Sequence, residues 1–388
     1  MDISRRAPLT LERDRHSRPD ALLIIPVLAL SALGALMIFS ASAPRLEALG
    51  VSPTSALERQ LVFMVLGALA FIVISGMGER GLRAGAPFLF VAAVLLLVAV
   101  FVVGDIRAGA QRWIALGSFQ VQPSELAKPA LILALAAVLG PTEDEELGWG
   151  RILRAVAIAA VPMLLIVTQP DLGTGLVMAF VAVVMLFVAG IPFRRFLALA
   201  GAGAVGLAAA FQLGLLQFQQ YQLDRLTAFL DQGSDLASVN YNLFQSRLTI
   251  GSGGLFGKGL FEGSQTNLSF VPSQATDFIF TAVGEQLGFI GGAIVIFLYA
   301  FIVWRLLAVA ASANDRFGRL AVAGVAALIA FHAIVNVGMT LGIMPVTGLP
   351  LPFMSQGGSA YLAMGIALGI AHVIALQRSP VPGERRLL

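Results

Sequence analysis

The feature that most constrains this chain is the recurrence of apolar runs about 20 residues long, since a helix of that length crosses the ~30 Å hydrocarbon core of a bilayer. Such runs lie near 21–42, 60–77, 86–104, 123–140, 153–169, 172–190, 196–216, 277–310, 318–344 and 357–377. The fourth opens on polar residues, and the fifth and sixth are split only by Gln169, Pro170 and Asp171. Hydrophobic residues make up 58% of the chain and charged ones 12%, against roughly 45–50% and 25% in a soluble domain. These runs predict an all-α integral membrane protein of ten transmembrane helices, folded as a single polytopic domain over residues 1–388.

Lysine and arginine concentrate in cytoplasmic loops. With both termini inside, most of the 25 lysines and arginines fall on the inner side. This orientation makes 1–20 and 378–388 cytoplasmic tails and places one large extracytoplasmic loop, 217–276, between helices 7 and 8. The first apolar run is a full span that follows an arginine-rich segment, so it reads as a helix rather than a cleavable signal peptide. The net charge of +3 reports orientation, and no nucleic-acid partner is expected. The loop carries an amphipathic stretch from Asp224 to Ile250 and a glycine-rich one from Gly251 to Gly263. Long loops with their own periodicity are usually functional.

Three scattered histidines and the lack of cysteine argue against zinc, haem or iron–sulfur chemistry. A hard divalent cation, Mg or Mn, held by carboxylates stays open. Gly251–Gly259 mimics a phosphate-binding loop, but Ser252 and Gly259 stand where that motif needs glycine and Ser/Thr. No nucleotide site is expected.

Ionisable side chains at membrane depth are functional candidates by default. On the outer half these are Arg112, Glu125, Lys128, Asp171, Asp277 and Glu285. Asp277 opens an apolar run, where it can cap the helix and equally act as a base or metal ligand. Glu125 and Lys128 stand three apart on one helix face, either as a structural pair or with Lys128 and Arg112 holding an anionic headgroup. Gln169-Pro170-Asp171 is either a tight turn or polar backbone lining a cavity. Glu285 follows Asp277 by about two turns of one helix. Between spans nine and ten, Pro345, Pro350 and Pro352 with several glycines break the helix and predict a rigid outer loop, running to Ser355, suited to lining a site.

These pieces, in order, resemble the SEDS family (shape, elongation, division and sporulation). The resemblance runs from Phe39-Ser40-Ala41-Ser42 through Arg112-Trp113-Ile114, Gln122-Pro123-Ser124-Glu125, Pro170-Asp171-Leu172-Gly173-Thr174 and Gly257-Lys258-Gly259-Leu260. It continues through Thr276-Asp277-Phe278-Ile279-Phe280 to Pro345–Pro352 and Gly357-Gly358-Ser359. The Pro345 and Gly259 segments look more like the RodA branch than the division branch. The resemblance implies a peptidoglycan glycosyltransferase that polymerises lipid II at the outer face of the bacterial cytoplasmic membrane and releases undecaprenyl diphosphate. It also implies a class B penicillin-binding protein as transpeptidase partner.

Under this resemblance Asp277 is the catalytic residue, and Glu125, Lys128 and Asp171 fall on family motif positions. With Arg112, Lys258, Glu285 and Ser355, singled out by charge or placement, those three make up the expected substrate-binding set, and Asp277 is also a possible metal ligand. The chain departs from the family at Ser273 and Ala275, where glutamate and often histidine are usual, at Gln286 for glutamate, and at Gln356 for tyrosine. A flippase or transporter of lipid-linked precursor is the alternative. Small residues in spans eight (Gly291, Gly292, Ala293) and nine (Gly324, Ala326, Ala327) mark those spans for partner docking.

Overall fold

The computed structural model describes residues 19–107, 110–117, 119–140, 147–214, 223, 225, 227, 229 and 239–377. Nearly all of both predicted tails and most of 217–238 lie outside these residues. The chain runs α1 (Ala21–Ala48), α2 (Ser55–Val103), three short strands, α3 (Pro123–Leu139), α4 (Trp149–Thr168), α5 (Leu172–Val188) and α6 (Phe193–Gln212). It continues with α7 (Val239–Ser252), α8 (Ser264–Asn267), α9 (Ile279–Ala311), α10 (Arg316–Leu341) and α11 (Gly358–Gln377).

Among the described residues, α1, α2, α4, α9, α10 and α11 are long and apolar enough to cross a membrane. α2 is 49 residues long and carries two of the predicted runs. It bends at Gly78, whose φ of 66° and ψ of 171° leave the helical region, a conformation that glycine adopts without steric cost. Leu69, Val73, Phe88 and Val102 stand exposed along α2, a lipid-facing surface with no need of water.

α10 is the central post. It packs on α3, α5, α9 and α11, and its small residues are consumed there. A side chain at Gly324 would meet Ile132 Cγ2 at 2.8 Å and Met185 Sδ at 2.9 Å. Ala326 and Ala327 are buried as well. The expectation that these residues of span nine dock a partner is therefore corrected: they pack against the chain's own helices. On α9, Gly291 and Gly292 are buried too, while Ala293, Phe289, Phe297 and Trp304 face outward.

The all-α expectation fails over 105–121. There β1 (Asp105–Arg107), β2 (Ala110–Leu116) and β3 (Phe119–Val121) form an antiparallel meander in the order β1-β2-β3. Ile114 pairs with Val121 and Leu116 with Phe119, and Gly117, at φ 62°, turns the second hairpin. The strands are too short to dominate hydropathy, and glycine punctuation was their only sequence signal.

Candidate active site

The Pro345–Ser355 loop is non-helical, part-buried backbone at one end of an apolar bundle, so its sheltered carbonyls need partners. Neighbouring side chains supply them. Asn336 Nδ2 donates to Leu349 O at 2.7 Å, and His332 Nδ1 lies 3.0 Å from Pro350 O. The Tyr299 hydroxyl donates to Pro352 O, and Arg225 reaches Thr347 O at 3.4 Å. The predicted rigid loop thus becomes the hub on which the outer charges converge.

Asp277 sits against this hub. Three consecutive carbonyls fix its segment: Gln356 N–H donates to Ala275 O at 2.9 Å, Ser355 Oγ donates to Thr276 O, and Asn336 Nδ2 donates to Asp277 O at 2.7 Å. Ser355 therefore braces the backbone beside Asp277 rather than standing apart from it. The Asp277 carboxylate faces Gly348, where an added Cβ would lie 3.5 Å from Oδ2. α9 begins only at Ile279, with Phe278 at its N-cap and no side-chain cap. Two expectations are corrected here: Asp277 does not cap the helix, and it shares no helix face with Glu285, because it precedes the first turn.

Standing ahead of the spanning helix, Asp277 has its pKa pushed up to about 6. Burial disfavours its charged form, while a hydrogen bond with Thr276 and the charge of Arg225 oppose the shift only in part. Among the described residues it forms no ion pair.

Glu285 is the opposite case. It is fully buried. Its oxygens accept from Lys258 Nζ at 2.7 Å, Gln265 N–H at 2.9 Å, Thr266 N–H at 2.9 Å and Thr266 Oγ1 at 2.7 Å. Lys258 also donates to Ser264 Oγ at 2.9 Å. The glycine-rich loop wraps α9 where Gly288, at φ 67°, breaks the helix. Lys258 and Gly259 N–H groups donate to Glu285 and Gln286 carbonyls, and Phe289 and Ile290 N–H groups to Gly254 and Leu255 carbonyls. A Cβ at Gly253 or Gly257 would fall 2.0 or 2.1 Å from α9 carbonyl oxygens. The segment that mimics a phosphate-binding loop is thus a backbone clasp, with the Lys258 and Gly259 amides turned onto α9.

Glu125 and Lys128 form a buried pair at 2.7 Å. Lys128 Nζ also lies 3.1 Å from His332 Nε2, so the pair joins the hub through His332 and Pro350. Among the described residues Glu125 Oε2 has no partner. Arg112, on β2, donates to the Gln169 and Pro170 carbonyls, and its Nη1 is 4.0 Å from Asp171 Oδ1. Asp171 caps α5 by accepting from Thr174 N–H at 3.2 Å. Behind it, a Cβ added at Gly173 would lie 3.0 Å from Thr347 O, again on the hub. Sequence reasoning missed Arg225, His332 and Asn336. A histidine and an asparagine inside an otherwise apolar run were signal enough for two of these.

The three departures Ser273, Ala275 and Gln356 line one cavity of ≈ 400 Å³ beside Thr276. Gln286 lies elsewhere, its Oε1 accepting from Ser40 Oγ at 2.9 Å and Phe261 N–H at 3.0 Å. Among the described residues no three carboxylates or histidines gather to hold a metal ion.

Residues 20–379 match the model of the FtsW/RodA/SpoVE family, described as cell cycle protein. The chain belongs to this family. Its relatives include the peptidoglycan glycosyltransferase MrdB of Escherichia coli K12, 38% identical over 94% of each chain. Stage V sporulation protein E of Bacillus subtilis is 36% identical over 92% of this chain and 96% of its own. RodA of Thermus thermophilus superposes with a TM-score of 0.67 at 33% identity, over 93% of this chain and 98% of that one. A chain of a peptidoglycan synthase complex, described as coordinating polymerization and crosslinking, reaches 0.76 at 33% identity over the same shares. Like these FtsW/RodA/SpoVE proteins, the chain is a mostly helical, multi-pass assembly.

Proposed function

We propose that this chain is a peptidoglycan glycosyltransferase that polymerises lipid II at the outer face of the cytoplasmic membrane, with Asp277 as general base. The observation that carries the reading is the Asp277 carboxylate, lodged at the mouth of the bundle against Gly348 with its ionisation shifted toward neutral pH. A base works best with a pKa near the operating pH. Asp277 takes the proton of an acceptor sugar hydroxyl as that oxygen bonds to the anomeric carbon of the lipid-linked donor. The bond to the diphosphate breaks on the opposite face, the diphosphate leaves with the electron pair, and an α linkage becomes β. The carboxylic acid then returns its proton to water.

Arg225, whose charge already acts on Asp277, is a cationic candidate for offsetting the leaving charge. Lys128 acts on the hub through His332 and Pro350, Arg112 and Asp171 fix the Gln169–Thr174 turn beside it, and Glu285 with Lys258 fixes the outer loop. A Mg or Mn ion at Asp277 would rest on that single carboxylate and on substrate phosphate oxygens, a usual arrangement for Mg. It would supply further charge to the diphosphate.

We read ten spans with both termini inside, α2 counting as two. A class B penicillin-binding protein fits the outward α9 face carrying Phe289, Phe297 and Trp304. Transport is disfavoured by a buried Arg305–Asp20 pair at 2.9 Å at the inner end of the bundle. Purified protein given lipid II should produce glycan strands. Headgroup translocation without strands would replace this reading with a flippase.

A further inference from the structure

The cavity beside Thr276 does not include Asp277 in its wall, and its chemistry differs from that of the hub. Arg45, at the end of α1, and Arg59, in the second turn of α2, line it, and no lining residue is acidic. Both arginines are exposed, and among the described residues neither is paired with a carboxylate.

Gln274, also in the wall, is buried at 5% exposure. Its Nε2 donates to Thr266 Oγ1 at 3.1 Å and Thr281 Oγ1 at 3.0 Å. Those hydroxyls already donate to Glu285 Oε2 and Phe278 O, so they can only accept from Gln274, and the amide cannot be flipped. Among the described residues its Oε1 is left buried with no partner, as is Ser55 Oγ in the same wall. A buried acceptor without a donor costs stability, and an incoming hydroxyl or N–H would relieve it. Leu46, Leu49 and Val271 supply an apolar flank.

Two guanidiniums in one wall, an acceptor in need of a donor and an apolar flank together describe an amphiphile with an anionic head and adjacent hydroxyl or amide groups. Arginine forks suit phosphate oxygens. We propose that the Arg45–Arg59 cavity holds the phosphate of a lipid headgroup that also presents hydroxyl or amide donors. The proposal rests on the previous reading only in placing the cavity at the outer leaflet. Two sources share this chemistry: the diphosphate-linked lipid of the polymerisation reaction, and a bulk phospholipid such as phosphatidylglycerol.

The test uses the full chain in phosphatidylcholine nanodiscs, titrated separately with undecaprenyl diphosphate and phosphatidylglycerol and read by native mass spectrometry. Arg45→Gln/Arg59→Gln should weaken binding at least tenfold for one of them, and Arg45→Lys/Arg59→Lys should retain more of it. Gln356→Glu, a near-isosteric change that places a carboxylate in the wall, should weaken it as well and serves if the double variant does not fold. Weakening with undecaprenyl diphosphate assigns the cavity to the reaction's own lipid; weakening with phosphatidylglycerol alone assigns it to bulk lipid. Equal binding of both lipids by wild type and variants, or no binding by wild type, overturns the proposal. Lipid II polymerisation in the same preparation separates the two readings: lipid binding without glycan strands would overturn the function and leave the cavity assignment standing.

Discussion

Asp277 and Glu285 are carboxylates eight residues apart in one segment, and their surroundings could hardly differ more. Glu285 is fully buried, and Lys258, Gln265 and Thr266 donate to its two oxygens. Asp277 is half-buried, with a hydrogen bond to Thr276, the charge of Arg225 and no ion pair among the described residues. A saturated carboxylate has no lone pair free for a proton and holds a loop in place. An under-coordinated one in a dry setting favours its neutral form and is ready to take a proton. Donor count, more than burial, separates the structural acid from the chemical one.

The largest effect this contrast predicts is at Asp277. Asp277→Asn should cut polymerisation by roughly 10²–10⁴, the range of a lost general base. Thermal stability at neutral pH should hold or rise. The sign follows from the shift: a carboxylate whose folded pKa lies above its unfolded value costs stability once pH passes the unfolded value, and asparagine removes that cost. Strand synthesis and a melting curve on one preparation check both halves.

Glu285→Ala should do the reverse. It strands Lys258 and the Gln265 and Thr266 amides and should cost about 3–5 kcal/mol, as breaking a buried pair does. Whatever protein remains folded should still polymerise. Unfolding in detergent with turnover per folded molecule would show this, and a stable but inactive variant would move Glu285 into the chemistry.

A smaller effect is expected where Glu125, Lys128 and His332 connect to the hub. Lys128→Met and His332→Phe should be coupled by about 0.5–3 kcal/mol in a double-mutant cycle on activity, since both act through Pro350. Additive losses would show that the chain of contacts transmits nothing.

The bundle was legible because lipid forces a long apolar run wherever the chain crosses it, and α3, α9 and α11 begin and end within two residues of the predicted runs. The site was legible in part from residue type: Asp277, and Lys128 through His332, lie at Pro345–Ser355, whereas Glu285 pairs with Lys258 of the glycine-rich loop. Their division of labour was not. Whether Asp277 caps a helix depends on where the first turn closes. Whether Glu285 is free depends on a loop folding back from 19 to 27 residues away. Hydropathy carries neither fact. The meander that aims Arg112 at the Gln169 and Pro170 carbonyls was hidden because strands of three to seven residues contribute little to windows tuned to membrane helices.

The pH dependence of turnover at saturating lipid II, measured side by side for wild type and Glu285→Gln, tests the assignment of roles most directly. Asp277 as the base, with its pKa near 6, predicts a rate that falls about tenfold per unit as pH drops below 6, because only the ionised carboxylate accepts a proton. The same limb should persist at the same position in Glu285→Gln. A rate flat from pH 5 to 8, or a limb that shifts or vanishes when Glu285 is replaced, would contradict it.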